Sequence, residues 1–344
     1  MKSFSHILAT LVIAAVTCAT ALAQTSSIRY GERVPQDVKL IYERGLSYLA
    51  ATQQESGAWS GGQSGSGITG LCLMAFLAHG EDPNFGQYSS NIQRAVRSII
   101  RSQDPSTGYI PQRMYDHGFA MLALAEAYGT VDDATLWDAG AGRQRTIGEA
   151  LELAVRCALT AQRKNSFGGW RYSPDSRDAD TSVSGAVLVG LLAARNAGLE
   201  VPDEAIDKAL QYYKNATSNT GMVAYSGVGG HGASMNRSAI AALVFAVGKR
   251  KDWQEYQATL GYITSQLDHQ ESSYPFYFRY YMAQALFQGD YEAWNKWKQE
   301  NTEALRGLQQ DDGSFPSNHG QAYGTAMALL SLALDFRFLP IYER

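Results

Sequence analysis

The feature that most constrains this chain is a motif that recurs along it: a glutamine, then a glycine with an aromatic beside it, then an Ala-rich apolar segment. It reads "QQESGAW" at Gln53, "QDPSTGY" at Gln103, "QRKNSFGGW" at Gln162 and "QQDDGSF" at Gln309. A weaker copy, "SNTGMVAY", begins at Ser218, and a further position near Gln266 to Tyr274 keeps the flanking helical patterns without the glycine. A period of roughly 40 to 60 residues suits one helix hairpin per repeat.

The two helices of each hairpin differ. First helices are amphipathic: Val38, Ile41, Tyr42, Leu46 and Leu49 share a face, with Asp37, Lys39, Glu43 and Arg44 off it. The third repeat sets Ile147, Leu151, Ala154, Val155 and Ala158 against Glu149, Glu152 and Arg156. Second helices are apolar all round, as in "FAMLALA" from Phe119, "VSGAVLVGLLAA" from Val183, "AIAALVFAV" from Ala239 and "TAMALLSLAL" from Thr325. An amphipathic helix covers a surface, whereas an apolar one needs partners on every side. Alternation over six hairpins therefore predicts an all-α fold of twelve helices in two concentric layers, an α/α toroid, with an open solenoid as the alternative. In the turns, glycine supplies a positive φ, and Trp59, Tyr109, Trp170 or Phe315 covers it. The glutamine amide is expected to bond free N–H groups at a neighbouring helix start.

Ahead of the repeats, Lys2, the apolar run Ile7 to Val16 and the small-x-small triplet Ala21-Leu22-Ala23 read as a secretory leader over 1–23. It is too short to span a membrane. The expected mature unit is one exported (periplasmic or secreted) domain over 24–344. Its charges are interspersed, 28 basic against 33 acidic once Lys2 is removed, with no basic block to hold nucleic acid. Cys72 and Cys157 sit inside apolar helical patterns and read as buried thiols, with one disulfide as the alternative.

The glutamine-glycine-tryptophan turns, "GGWRY" followed by "DADTSVSG", and the ending "YGTAMALLSLALDFRFLPIYER" resemble the prenyltransferase and squalene-cyclase repeat superfamily, above all the end of a squalene-cyclase domain. The resemblance covers essentially all of the chain after the leader and implies the same toroid. Squalene-hopene-type cyclases protonate an alkene with the middle Asp of an Asp-x-Asp-Asp-Thr-Ala motif. Here Asp180-Thr181-Ser182 matches its end, and Ala179 stands at the acid. Protein prenyltransferases hold zinc with an Asp two residues before a Cys, where this chain has Gly70 and Val155. The Cys-Gly-Glu-Gln segment of complement-like thioester domains is absent.

If the hairpins stack in one sense, the inner helices present their N-termini at one mouth, where partial positive charge gathers. Near those starts lie the carboxylates Asp116, Asp178 and Asp180, and the binding candidates His117, His231, Arg237, Arg279, Tyr280, His319 and Tyr323. Asp180, directly before Thr181, also reads as a helix N-cap, and Asp178 as a partner of Arg171 or Arg177. The run "YPFYFRYYMAQALF" from Tyr274 reads as a core helix whose tyrosines can form a wet cavity wall. No metal or cofactor is expected, because His and Cys are scattered without ligand spacing. The leading expectation is a toroid that binds an apolar small molecule or a protein segment. The alternatives are a terpenoid-cyclase-like enzyme using Asp178 and Asp180, and a carbohydrate-active toroid with Asp116 and Asp178 as its carboxylate pair.

Overall fold

The computed structural model describes residues 34–59, 65–137, 140, 144–227, 232 and 234–342, so the leader lies outside the described residues. Among them the chain forms thirteen α-helices and no strand. Six make the outer layer: α1 (Gln36–Thr52), α3 (Ser89–Ser102), α6 (Ile147–Gln162), α8 (Asp203–Ala216), α10 (Gln254–Thr264) and α12 (Tyr291–Leu308). Six make the inner layer: α2 (Ser66–Ala78), α4 (Met114–Ala127), α7 (Thr181–Asn196), α9 (Met235–Val247), α11 (Pro275–Gly289) and α13 (Gln321–Leu332). The short α5 (Asp133–Leu136) bridges α4 to α6. The layers follow the patterning, since every residue of α2 from Gly67 to Ala78 is buried whereas α1 buries only its apolar face.

Each inner helix packs on the next, and α13 packs on α2, which closes the ring. The seam between first and last repeats is tied by Arg306 to Asp37 (2.7 Å) and by Gln309 Nε2 donating to the Ile41 carbonyl (2.9 Å). The fold is thus the closed toroid and not the open solenoid.

The turn motif staples the outer layer. Gly57, Gly108, Gly168, Gly221 and Gly313 all have φ between 75° and 88°. At Gly57 an added Cβ would fall 2.0 Å from the Arg94 carbonyl oxygen on the next outer helix, so both φ and space require glycine. The glutamines act with the opposite polarity to the expectation. Gln103 Nε2 donates to two carbonyls, Gly108 in its own turn (3.0 Å) and Ala150 in the next outer helix (2.8 Å), and Gln53, Gln162 and Gln309 repeat this pair. An –NH₂ group has two donors, and helix carbonyls keep a second lone pair after their i+4 bond.

The covering aromatic sits two residues after the turn glycine. Trp59 and Trp170 are there, fully buried, each indole N–H bonded to a carbonyl of the preceding outer helix at 2.8 Å. In the second repeat that position is Ile110, fully buried, while Tyr109 is half-buried and stacks on His117 instead.

Candidate functional site

All six inner helices start at one end of the ring, and a cavity of about 320 Å³ opens there. Its apolar wall is Ile68 and Leu71 from α2, Phe119 from α4 and Val183 from α7. Tyr115, Tyr277 and Tyr323 bring phenols from α4, α11 and α13, and Asn236 and Arg237 add polar groups from α9. The rim carries Tyr172, Tyr225 and Tyr274, each about 40–50% exposed. Tyr172 and Tyr225 meet hydroxyl to hydroxyl at 2.6 Å, with the Arg171 guanidinium over both rings. Tyr274 stacks on His319 at 5.1 Å, and His319 in turn meets Tyr323 edge-on at 5.4 Å.

Asp180 is set by its backbone. Its N–H donates to the Trp170 carbonyl (3.0 Å), and the next N–H, of Thr181, donates to the Tyr225 carbonyl (2.9 Å). Oδ1 caps α7 by accepting from Val183 N–H at 2.8 Å, as its place before Thr181 predicts. The residue lines the cavity but is sunk into its wall, with none of its surface open to solvent. Among the described residues Oδ2 has no hydrogen-bond partner, and Arg171 Nε lies 3.9 Å from it. Burial therefore pushes its carboxyl up to about 6, against the lowering pull of the helix N–H groups and Arg171. Asp116, in the first turn of α4, also lines the cavity, and burial raises its carboxyl too. Gly67 makes room for it, since a Cβ there would sit 2.8 Å from the Asp116 Cα.

Other candidates lie elsewhere. Asp178 is exposed and pairs with Arg171 at 2.7 Å, away from the cavity. His117 is fully buried and faces the outer layer: Ile110 N–H donates to Nδ1 (3.0 Å), and Nε2 lies 3.0 Å from the Ala154 carbonyl. Since Nδ1 accepts, Nε2 carries the proton, the ring is neutral, and burial lowers its pKa to about 4. Arg279 donates to Asn301 Oδ1 (2.6 Å) beside a separate recess of about 40 Å³. Tyr280 is buried against Phe119 and Tyr281, outside the cavity lining. His231 lies outside the described residues. Arg237, His319 and Tyr323 do line the cavity, although Arg237 spends Nε on the Val223 carbonyl and one terminal nitrogen on Gly232, both at 2.8 Å.

Gln112, Tyr172 and Tyr225 are lining residues the sequence reading passed over. All three stand four residues after a turn glycine, so the repeat register itself pointed to them. Among the described residues no group of three His, Cys, Asp or Glu is placed to hold a metal ion, and Cys72 and Cys157 are buried free thiols. No described helix is long and apolar enough to cross a membrane.

No family model matches the chain, and no curated protein matches it in sequence. Solved structures do match in fold. An alpha-1,6-mannanase from Salegentibacter superposes with a TM-score of 0.62 at 10% identity, covering 86% of this chain and 98% of the mannanase. The type II terpene cyclase MstE from Scytonema gives 0.60 at 15% identity over 88% of this chain and 99% of the cyclase. A protein from Actinoplanes gives 0.56 at 13% identity, covering 86% and 98%. At these identities the likeness is one of fold, the α/α toroid.

Proposed function

We propose that the toroid binds a small, mainly apolar molecule in the cavity at the inner-helix N-termini. One observation carries this: a pocket of about 320 Å³ in which the side chains of Ile68, Leu71, Phe119 and Val183 and the rings of several tyrosines meet converging polar groups, with a buried carboxyl in the wall. That is the usual form of a small-molecule site, within the range of about 300 to 1,000 Å³. Of the fold neighbours, the Scytonema cyclase was solved with geranylgeranyl dihydroxybenzoate, a largely apolar molecule, and the mannanase with a mannotetrose, a polar one. Export belongs to the same reading and rests on the leader pattern; N-terminal sequencing of the processed protein would find Gln24 first.

Binding is tested by native mass spectrometry of the purified protein. The expected result is a bound small molecule that is lost in Val183→Trp, whose indole would fill the cavity. A chain that carries nothing and takes up no apolar probe would contradict the proposal.

A second reading has an observation of its own. A buried carboxyl raised to about 6, one oxygen free, carries its proton below that pH and is then equipped to protonate a bound alkene. Asp178 plays no part in it, being exposed and ion-paired. Loss of turnover in Asp180→Asn with stability intact would favour this enzyme.

A further inference from the structure

The wall of the cavity specifies more about its ligand than that it is apolar. Asp180 has two oxygens with divided duties. Oδ1 is committed to the cap of α7, and Oδ2 is buried without a partner beside the cavity. A buried polar atom left unpaired carries its desolvation cost uncompensated, so a ligand group that pairs with it is selected over one that cannot. Which group fits depends on whether Oδ2 carries a proton.

The surroundings decide this. From its own loop Asp180 is faced by Arg171 and Asp178, from α8 by Tyr212 and Tyr213, from the following loop by Tyr225, and from α11 by Tyr277. Burial holds all four of these phenols above their ordinary range, so they stay neutral through the physiological range. Arg171 is engaged with Asp178 at 2.7 Å and only reaches Oδ2 to 3.9 Å, too far for a hydrogen bond. Among the described residues no side-chain donor comes within hydrogen-bond distance of Oδ2, and the N–H groups that face the carboxyl are those of the helix start, Val183 and Ser182. Protonated, it has one donor and wants an acceptor.

The geometry points to a ligand that presents a neutral hydrogen-bond acceptor, a carbonyl or ether oxygen on an apolar body, to a protonated Asp180 Oδ2. This rests on the cavity being a small-molecule site. The carboxyl donates one hydrogen bond, no covalent bond changes, and Oδ1 keeps its cap throughout. Ionisation reverses the preference, because a carboxylate accepts only and repels an acceptor oxygen. With the carboxyl raised to about 6, affinity for an acceptor-bearing ligand falls as pH rises through that value.

The test uses two matched probes, 2-acetylnaphthalene and 2-ethylnaphthalene, which differ in a carbonyl, with affinities measured by equilibrium dialysis between pH 5 and 8. The ketone is expected to bind about tenfold tighter than the hydrocarbon at pH 5 and to lose most of that advantage by pH 8, since a factor of ten is one hydrogen bond of about 1.4 kcal/mol. Asp180→Asn keeps both a cap and a donor and should preserve the ketone preference while abolishing its pH dependence. Asp180→Ser keeps the cap without the second polar atom, and the preference should disappear. Glu126→Gln, in the last turn of α4 at the other end of the ring, should leave the pH dependence in place. If both probes bind equally at every pH, or Asp180→Ser retains the preference, this inference is overturned while the cavity remains a binding site. If neither probe binds, the binding reading falls and takes the inference with it.

Discussion

The two ends of the ring each bury a carboxylate, and the contrast between them separates site from structure. At the mouth, Asp180 precedes an inner helix; at the base, Glu126 lies in the last turn of α4. Both give one oxygen to a backbone N–H, Asp180 to Val183 and Glu126 to Ile341 at 3.3 Å, and both leave the other oxygen unpartnered. Burial raises Glu126 further, to about 8 against about 6. The helix dipole contributes in this sense, since a negative charge is favoured at an N-terminus and disfavoured at a C-terminus. What lies beside them differs most. The 3₁₀ turn Pro340–Tyr342 packs under the ring, burying Ile341 and Tyr342 and accepting a hydrogen bond from Gln288 to the Tyr342 carbonyl. The base is filled by the chain's own segment, whereas the mouth keeps its space.

The largest expected effect breaks the frame that both ends share. Trp170→Ala removes a fully buried indole and its bond to Ala158, and should lower stability by about 3 to 5 kcal/mol in denaturant unfolding. An unchanged midpoint would place Trp170 outside the staple.

Next come the two carboxyls. A carboxyl raised in the folded state binds more protons there than in the unfolded chain, so its contribution is full at low pH. It is lost as pH climbs from the ordinary value through the folded one. For Glu126 that window runs from 4.5 to about 8. Glu126→Gln should therefore gain on the order of 2 to 4 kcal/mol over wild type at pH 8 and nothing at pH 4. Urea unfolding across this range measures it, and a parallel pair of profiles would show that Glu126 is not held neutral.

For Asp180 the window is lower and narrower, 3.8 to about 6. A residue that only caps α7 would make Asp180→Asn neutral at every pH, because Asn caps as well. The buried free oxygen instead predicts a gain of about 1 to 2 kcal/mol above pH 6, vanishing near pH 4. The smallest effect belongs to Asp178→Asn, within about 0.5 kcal/mol, as an exposed ion pair contributes little. A larger loss there would mean that the Arg171 contact organises the rim.

The ring was legible because its cause is periodic: amphipathic and apolar helices alternate, and glycine returns at each turn. Closure needed the structure, since the Arg306 to Asp37 seam joins residues at opposite ends of the sequence. The turn glutamines were located but given the wrong polarity, because the sequence does not say whether a carbonyl or an N–H faces them. Tyr109 was one residue out of register with Ile110, an offset that only burial reveals. His117 stood at the right height on α4 yet points outward to α6, a matter of angle around one helix. Glu126 gave no sign, since its surroundings come from Tyr280 and Tyr342, far along the chain.

The most direct test is a crystal structure of the protein soaked with 2-acetylnaphthalene at pH 5. The probe is expected between Val183, Tyr277 and Tyr323 with its carbonyl oxygen within hydrogen-bond distance of Asp180 Oδ2, and the base is expected to remain closed by Ile341 and Tyr342. Density for the probe at the base, or a mouth filled with water alone at saturating probe, would contradict the assignment of the mouth as the site.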